Sequence, residues 1–386
     1  MRLLVISHTP HYRRGGAVVG WGATVREMDQ LATLFDSITH IAPLYPGAAP
    51  ASAMGYNSSR IRLHPVPPAG GEGLINKLSI PLRYPGYALA IIQERRLADV
   101  VHVRAPANIS LLALFVLAVL RRPRSRWAKY AGDWSGGFDE PFSYRFQRWF
   151  LTKRLHRGEV TVNGNWRDQP AHVTSFLNPC LTNEELAEGR EAARAKRIGS
   201  PIKLLFVGRL ESAKGVGVCL EILHRLQKAG LTAELDLIGD GEERPAFERF
   251  AEHLAVASQT RFHGGLPRDA LPRFFSNAHF IILPTACSEG WPKVLSEAMA
   301  YGAVPLSTAV SSIPEFLERF STGRTIDSRD PGLFSRAIED YLSEPGRWQE
   351  HSANAVKAAQ QFSYANYLQA VRNLLKLPAL ADPINA

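Results

Sequence analysis

The stretch KLLFVGRLESAKGVGVCLEILHRLQKAG, residues 203–230, joins a short apolar run, a glycine-containing loop and a segment with helical periodicity. This order is typical of a strand, a loop and a helix that open a parallel α/β domain. A second segment of this kind starts at residue 2, where RLLVIS precedes HTPHYRRGGAVVG and another helical pattern. The sequence therefore predicts two α/β domains, each opened by its own strand and loop.

Alternating strands and helices continue through both halves of the 386-residue chain. The strand candidates are ITHIAPL, VVHV, RWAKYAG and EVTVNG in the first half, and AELDLIG, RFHGG, FIILPT and AVPLST in the second. Such alternation predicts parallel sheets covered by helices on both faces. We expect two Rossmann-like, doubly wound domains that face each other across a cleft, with ligands at the carboxyl ends of the strands.

The boundary between the domains is predicted near FLNPCLTNEE, where an Asn-Pro pair interrupts regular structure. Residues 1–180 then form an N-terminal domain, and residues 181–362 form a C-terminal domain. Residues 363–386 contain a helical pattern with aromatic residues, which packs on its own domain or crosses back to the first.

The net charge of +9 is unevenly distributed. Residues 1–180 hold 22 Lys and Arg against 11 Asp and Glu, whereas the remainder holds 23 against 25. The first half therefore favours an anionic partner, although a generally basic surface gives the same count. Three widely spaced cysteines indicate neither a disulfide framework nor a structural zinc site. With a first apolar run too short for a signal peptide, we expect a cytoplasmic protein.

The loop GRLESAKG, residues 208–215, carries two basic residues, Arg209 and Lys214. An arginine can bind two phosphate oxygens, a lysine supplies a compact charge, and the start of the next helix adds unpaired N–H groups. Together these features suit a diphosphate. The alternative is a solvated loop with ordinary surface charges.

The segment EGWPKVLSEAMAYG, residues 289–302, carries Glu289 before an expected helix start and Glu297 inside the helix. We predict Pro292 as the first helical residue, where its missing N–H costs nothing. Carboxylates accept hydrogen bonds from hydroxyl groups and repel phosphates. The two glutamates therefore suit the sugar and ribose ends of a nucleotide sugar, with the helix start between them. Two glutamates at this spacing are also common on ordinary helix surfaces.

These segments resemble the retaining GT-B nucleotide-sugar glycosyltransferases, in particular family four, whose motif is Glu-x7-Glu followed by AMA-G-P. The chain has Glu289, Glu297 and then AMAYGAVP, preceded by FVGRLESAKG, LIGDGEERPAFERFAEHL and RFHGGLPRDALPRFFSNAHFIILPT. The resemblance covers most of residues 200–318. It implies that the domain of residues 1–180 binds the acceptor, that the domain of residues 181–362 binds the donor, and that Arg209, Lys214 and Glu289 act in catalysis.

The resemblance also implies a set of donor-binding residues. The glycine pair of SHTPHYRRGG resembles a loop whose backbone approaches the β-phosphate, and the HGGLP loop resembles the base-binding loop. The residues implied in donor binding are Gly15, Gly16, Leu266, Gly290, Lys293, Val294, Leu295 and Glu297. The side chain of Lys293 contacts phosphate or points to solvent, and backbone N–H groups of residues 293–295 remain for the phosphate because Pro292 has none.

The chain departs from the family on the acceptor side. The family commonly places a histidine near the scissile bond, and here the matching strand RWAKYAGDW has Ala131 or Gly132 at that position. Asp133 is a candidate substitute. Arg104 replaces the second histidine of a His-x-His strand end and is a candidate for the same side.

The resemblance implies transfer of a sugar from a nucleoside diphosphate to an acceptor hydroxyl with retention of anomeric configuration. Since no DxD motif ends a suitable strand, we expect basic residues to replace a metal and no cofactor to be required. We expect a lipid-linked or oligosaccharide acceptor, as in bacterial surface-polysaccharide assembly, and no nucleic-acid partner.

The basic and aromatic segment of residues 142–157 predicts a helix that lies on an anionic membrane, unless its aromatic side chains pack inward. Two other protein classes remain as alternatives. A non-catalytic GT-B scaffold would keep the fold, but the basic residues and glutamates are retained. A nicotinamide dehydrogenase would need a GxGxxG after the first strand, which the sequence lacks.

Overall fold

The computed structural model describes residues 1–70, 74–136, 140–166, 169–287 and 290–378. Within these residues the chain forms a seven-stranded sheet and a six-stranded sheet, and all strand pairs in both are parallel. The prediction of two parallel-sheet α/β domains is therefore confirmed.

The first domain contains ten of the described strands and four helices. Its strands are β1 (Arg2–Ile6), β2 (His11–Arg14), β3 (Ala17–Trp21), β4 (Ser37–Pro43), β5 (Ala53–Gly55), β6 (Ile61–Val66), β7 (Val100–Ala105), β8 (Ser125–Tyr130), β9 (Glu159–Val162) and β10 (Val173–Ser175). Its helices are α1 (Gly22–Leu31), α2 (Leu74–Arg95), α3 (Asn108–Val119) and α4 (Phe142–Thr152). The order in the large sheet is β10-β9-β8-β7-β1-β4-β6.

Strand β1 lies at the centre of this sheet, and its apolar residues are at most 1% exposed. Leu4 and Ile6 pack among residues of α2 and α3, whereas Leu3 and Val5 pack among residues of α1 and the C-terminal helix. The two faces alternate because successive side chains in a strand point in opposite directions. This double burial explains why a nearly continuous apolar run forms the strand.

A small antiparallel sheet, β2-β3-β5, interrupts the path from β1 to α1 and was not predicted. Gly15 and Gly16 form the two-residue turn between β2 and β3, with φ angles of +56° and +83°. A turn with two positive φ angles is the usual connection of a tight hairpin and strongly favours glycine. The glycine pair is thus explained locally by the hairpin.

The second domain starts with a capped helix and contains the remaining strands. Its strands are β11 (Ile202–Val207), β12 (Ala233–Ile238), β13 (Thr260–Gly264), β14 (Phe280–Leu283), β15 (Val304–Thr308) and β16 (Arg324–Ile326), in the order β13-β12-β11-β14-β15-β16. The helices are α5 (Asn183–Arg194), α6 (Val216–Lys228), α7 (Arg244–His253), α8 (Pro272–Asn277), α9 (Lys293–Ala300), α10 (Ile313–Phe320), α11 (Pro331–Ser343), α12 (Pro345–Ala359) and α13 (Tyr364–Leu375).

Helix α13 leaves the second domain and packs on the first. Tyr367 and Val371 are buried in a cluster with Leu3, Val5 and Trp127. The chain therefore passes twice between the domains, once before α5 and once before α13. The proposed limits at residues 180 and 362 stay a prediction, and the end of the tail, residues 379–386, lies outside the described residues.

None of the described helices is long and apolar enough to cross a membrane. The longest apolar run of the sequence forms α3, and residues such as Ile109 and Leu114 pack in the core of the first domain.

Candidate active site

The carboxyl ends of the strands of both sheets meet at the interface between the domains. Gly290, which lies between β14 and α9, is buried against the loops that follow β8 and β9. A Cβ added to Gly290 would lie 2.6 Å from Nδ2 of Asn163 and 3.0 Å from the carbonyl oxygen of Ala131. Glycine therefore allows the two domains to approach here, and this close approach defines one wall of the interdomain cleft.

The loop of residues 208–215, hereafter the Arg209 loop, follows β11 and opens α6. Lys214 ends a short 3₁₀ turn, and Gly215 follows with a φ of +88°. A Cβ on Gly215 would lie 2.2 Å from the carbonyl oxygen of Pro284, directly after β14. The glycine thus lets this loop pack on the loop after β14, and a hydrogen bond of 2.8 Å from the Ala286 amide to the Ala213 carbonyl joins the two.

This contact brings the predicted phosphate-binding loop beside the segment that leads to Glu289. The side chain of Arg209 is 76% exposed and pairs with Glu211 at 2.5 Å. Glu289 itself lies outside the described residues. The position of its side chain, and its predicted catalytic role, stay predictions.

Helix α9 begins at Lys293, so the prediction that Pro292 is the first helical residue was wrong by one position. Pro292 caps the helix in an extended conformation, with φ −68° and ψ 117°. The amide of Leu295 donates to the Pro292 carbonyl at 3.1 Å. That N–H is engaged within the first turn, so the proposed phosphate contacts of the helix start rest on Lys293 and Val294.

The side chain of Lys293 points neither to solvent nor along its own helix. It crosses to the first domain, where its Nζ lies 3.5 Å from the carbonyl oxygen of Ala23 and 3.7 Å from Oε2 of Glu27. Only 16% of the Lys293 side chain is exposed, and that of Glu27 is fully buried. Lys293 therefore links the start of α9 to α1 across the interface.

Glu27 is the centre of a buried charged cluster. Arg104 donates to both of its carboxylate oxygens at 2.7 and 3.3 Å, and Lys129 donates to both at 3.1 and 3.2 Å. Tyr367 of α13 adds a hydrogen bond of 2.9 Å. We call Glu27, Arg104, Lys129, Lys293 and Tyr367 the Glu27 cluster. It joins α1, β7, β8, α9 and α13, and it holds three cations around one carboxylate.

The pKa values in the cluster follow from burial and mutual attraction. Burial alone would raise the pKa of Glu27, but Arg104, Lys129 and Lys293 hold it well below its usual range. Burial lowers the pKa of Lys129 to about 7 and also lowers that of Lys293, although Glu27 opposes both shifts. For Arg104 the attraction of Glu27 exceeds the effect of burial, and its pKa is raised.

Arg104 was predicted as an acceptor-side residue, and the structure instead places its guanidinium against buried Glu27. The other acceptor-side candidate, Asp133, lies at the domain interface. It accepts hydrogen bonds from the amide and hydroxyl of Ser135 at 2.9 and 2.6 Å, and from Ser311 of the second domain at 3.4 Å. Its role toward an acceptor stays a prediction.

Glu297 is the fifth residue of α9 and is 9% exposed. It pairs with Arg268, which also contacts Glu185 at 3.1 Å and the Cys180 carbonyl at 3.0 Å. Arg26 of α1 reaches the same Glu185 at 2.7 Å. Glu297, Arg268, Glu185 and Arg26 therefore form a series of ion pairs that extends from α9 to the first domain. A ribose bound by Glu297 would share the carboxylate with Arg268.

Sequence reasoning missed Glu185 and Arg268, although both had a signal. Thr182 and Glu185 form a capping box at the start of α5, a pattern that is readable as Thr-x-x-Glu. Arg268 lies two residues after Leu266, which is half-buried against the core of the second domain. The base-side loop and the predicted ribose-binding glutamate are thus adjacent.

His8, which the sequence analysis did not single out, lies two residues after the end of β1. Its side chain is exposed, while Ser7 and Thr9 on either side are buried. The surrounding protein lowers the pKa of His8, and Arg104 lowers it further. Its position at the carboxyl end of a central strand could have been read from the sequence, because such ends face the cleft. By contrast, His102 is fully buried, stacked on Trp127 at 3.7 Å.

Comparison with solved structures identifies the architecture. The chain superimposes on a sucrose-phosphate synthase from Thermosynechococcus elongatus with a TM-score of 0.72 and 17% identity, covering 97% of this chain and 98% of the other. Anabaena HepE in complex with UDP gives a TM-score of 0.68 with 13% identity, covering 97% and 100%. The fold and the cleft thus define a two-domain protein of GT-B architecture, as predicted.

Sequence comparison finds proteins to which the second domain is similar. Residues 190–362 match the model described as "Glycosyl transferases group 1". Similar curated proteins include a D-inositol 3-phosphate glycosyltransferase from Streptomyces coelicolor, 27% identical over 45% of this chain and 40% of that protein, and a glycogen synthase from Mycobacterium tuberculosis, 30% identical over 67% and 63%. The second domain is therefore similar to the group 1 glycosyltransferases over residues 190–362. The chain spans between two-fifths and two-thirds of the length of these two relatives.

Proposed function

We propose that this protein is a retaining glycosyltransferase that moves a sugar from a nucleoside diphosphate to an acceptor hydroxyl. The observation that carries the proposal is the contact between the Arg209 loop and the loop after β14, made through Gly215 and the Ala213–Ala286 hydrogen bond. It joins the loop that carries Arg209 and Lys214 to the loop that leads toward α9, at one edge of the sheet. Anions bind well at such an edge.

In the proposed reaction the acceptor oxygen bonds to the anomeric carbon on the face from which the diphosphate leaves. The bond between that carbon and the diphosphate oxygen breaks, and the acceptor proton passes to the leaving diphosphate. Arg209 and Lys214 stabilise the negative charge that develops on it. Glu289 positions the sugar, Glu297 the ribose, and the loop of Leu266 the base. We propose that these basic residues replace a metal ion.

The first experiment is a thermal-shift panel of UDP-, GDP-, ADP- and TDP-sugars on the wild-type protein. UDP-sugars are the first to test because solved neighbours include HepE bound to UDP and to UDP-glucose. We expect one nucleotide class to stabilise the wild type and not Lys214→Ala. The matched control is Lys228→Ala, an exposed lysine in the last turn of α6, which should keep the shift.

Turnover separates an enzyme from a scaffold. Donor binding without sugar transfer to any acceptor would favour a non-catalytic GT-B protein. Stabilisation by none of the nucleotides would count against both. If transfer occurs, the anomeric configuration of the product, measured by NMR coupling constants, tests retention.

We also propose that the acceptor is a lipid-linked or growing oligosaccharide and that the protein works at an anionic membrane surface. Helix α4 supports this, because Phe142 is 79% exposed and Trp149 is 49% exposed on its outer face. Phe150 and Leu151 pack inward, and Arg148 is occupied by Glu140. The outer aromatic residues are thus the ones to change. Co-sedimentation with anionic vesicles should fall for the double variant Phe142→Ser, Trp149→Ser, and unchanged sedimentation would reject this face.

A further inference from the structure

Four arginines line a pocket of about 220 Å³ in the first domain. Arg121 and Arg124 lie between α3 and β8, Arg126 lies in β8, and Arg157 lies between α4 and β9. We call these four residues the arginine pocket. It lies at the amino ends of β8 and β9, whereas the candidate active site lies at the carboxyl ends of the strands.

Arg126 forms the fixed base of this pocket and is 3% exposed. Its guanidinium donates to the carbonyl oxygens of Leu117 and Leu120 at the end of α3, of Pro123, and of His156 in the loop before β9. These bonds tie together both loops that carry the other arginines. The pocket is therefore held in place before any ligand arrives, which reduces the entropy lost on binding.

The charge of the pocket is not compensated. Within the described residues, no Asp or Glu pairs with any of the four arginines, and nearby Glu159 is already paired with Arg154 at 2.5 Å. Burial lowers the pKa of Arg126, and its neighbours Arg157 and Arg95 lower it further. A buried cation among other cations is costly unless an anion approaches it. Carbonyl oxygens at the end of α3 offset only part of that cost.

Two exposed apolar residues flank the pocket. Val119 is 78% exposed and lies two residues before Arg121, and Leu155 is 39% exposed and lies two residues before Arg157. The end of α3 and the loop before β9 therefore each carry an exposed apolar side chain two residues before an exposed arginine. A free phosphate would need only the arginines, whereas the phosphate of a lipid headgroup would lie beside acyl chains. The apolar flanks thus favour the lipid.

The same flank of the domain continues toward the cleft. Helices α3 and α4 lie side by side, and Phe115 of α3, itself 43% exposed, stacks on Phe146 of α4 at 5.8 Å. The eleven residues of α4 span about 16 Å. Phe142 therefore lies at the end of α4 near the candidate active site, and the arginine pocket lies beyond the other end.

We infer that the arginine pocket binds the phosphate of an anionic phospholipid headgroup and fixes one end of the α3–α4 flank on the membrane. This deepens the membrane association proposed above and names the site that recognises the lipid. The arginines bind the negatively charged headgroup, and Val119 and Leu155 insert into the interfacial region of the membrane. With the flank on the bilayer, the cleft opens toward acceptors held in the membrane.

The test is co-sedimentation of the full-length protein with vesicles of phosphatidylglycerol and phosphatidylcholine, compared with phosphatidylcholine alone. The triple variant Arg121→Gln, Arg124→Gln, Arg157→Gln should bind the anionic vesicles about 100-fold more weakly, since each basic residue near such a surface contributes about fivefold. The control variant Arg190→Gln, Arg249→Gln, Arg336→Gln removes the same charge from exposed positions of the second domain. It should lose less than threefold.

Equal binding of the triple variant and the control would overturn the inference. Competition by inorganic phosphate and pyrophosphate at matched ionic strength separates the two sources of phosphate. If these ions stabilise the wild type through the pocket while vesicle binding is the same for both variants, the site serves a soluble anion and the lipid is excluded. The double variant Arg121→Gln, Arg124→Gln repeats the test if the triple variant does not fold.

Donor binding distinguishes this failure from failure of the proposed function. The triple variant should keep the wild-type thermal shift with the nucleotide sugar, because none of its residues lies near the Arg209 loop. A wild type that binds no vesicles rejects both the pocket and the membrane association, whatever the result with the donor.

Discussion

Two groups of basic residues, the Glu27 cluster at the domain interface and the Arg209 loop at the edge of the second sheet, differ in what compensates their charge. In the Glu27 cluster three basic side chains surround one buried carboxylate, so the protein itself supplies the negative charge. In the Arg209 loop the arginine is 76% exposed, and its ion pair among the described residues is with Glu211. Glu27 partly neutralises the first group within the protein, whereas the exposed Arg209 can be reached by an external anion.

This difference separates residues that hold the domains together from residues that bind a ligand. A buried cation paired with a protein carboxylate helps to hold the two domains together. Removal of either partner leaves the other charge buried and unpaired. An exposed ion pair contributes little to stability, so an arginine kept there is free to act on a substrate. Substitutions in the two groups should therefore give opposite patterns of lost stability and lost activity.

The largest effect is expected for Glu27→Gln. This change keeps the shape of the side chain but leaves Arg104, Lys129 and Lys293 without a carboxylate. We expect a loss of about 3–5 kcal/mol in the free energy of unfolding, measured by denaturant titration. The matched control is Glu211→Gln, which removes the surface partner of Arg209 and should cost at most about 1 kcal/mol. Equal losses for the two variants would contradict the comparison.

Arg209→Gln should show the opposite pattern. Loss of one group that stabilises developing phosphate charge typically lowers the rate by about 100- to 1,000-fold. The free energy of unfolding should change by less than about 0.5 kcal/mol, because the side chain is exposed. Steady-state kinetics with the donor found by the thermal-shift panel checks the first statement. Arg249→Gln, exposed on α7, is the control and should keep full activity; a comparable loss in both variants would remove Arg209 from the site.

The pH dependence of stability sharpens the contrast, since Lys129 is buried in the cluster with a pKa of about 7. An unfolded lysine keeps its proton up to about pH 10.4. Between pH 7 and 9 the unfolded chain therefore binds more protons, and stability rises with pH. Lys129 should contribute a rise of about 2 kcal/mol over this range, despite the charges of Glu27, Arg104 and Lys293 that face it.

Lys196 provides a second, independent case. Burial lowers its pKa to about 7 as well, and its Nζ donates to the carbonyls of Phe275 and Ala278 at 2.8 and 2.9 Å. Denaturant titrations at pH 7 and 9 should show that Lys129→Met and Lys196→Met each remove about half of the rise. Exposed Lys228→Met should remove none. A wild-type stability that is flat over this range would show that both lysines keep their protons when folded.

The sequence was informative wherever the site is built from consecutive residues. The Arg209 loop and the start of α9 each follow a strand and precede or open a helix. This order along the chain predicts that both lie at the carboxyl edge of the sheet. The Glu27 cluster could not be predicted in this way. It joins residues 27, 104, 129, 293 and 367, and nothing in a single sequence indicates that a particular glutamate is buried or which distant cations it will meet.

The β2–β3 hairpin shows a different kind of miss. Two glycines between the segments HYRR and AVVGW are a recognised signal for a two-residue hairpin turn. The glycine pair was interpreted as a phosphate-binding loop, because of the family resemblance, and the hairpin was not predicted. Both interpretations concern the same two residues, and they differ in what a side chain at these positions would do.

The smallest effect is expected at Gly16, which distinguishes these interpretations. Its φ is +83°, and an added Cβ would meet no other heavy atom of the described residues within 4 Å. Asparagine tolerates a positive φ better than other residues do, so Gly16→Asn should cost less than about 1 kcal/mol of stability. If the backbone here approaches the donor phosphate, as the family resemblance implies, the new side chain obstructs it, and donor affinity in a titration should fall about tenfold. Gly47→Asn, at another positive φ with open space around it, controls for the backbone conformation. Unchanged affinity in Gly16→Asn would assign the glycine pair to the hairpin turn alone and leave phosphate binding to the second domain.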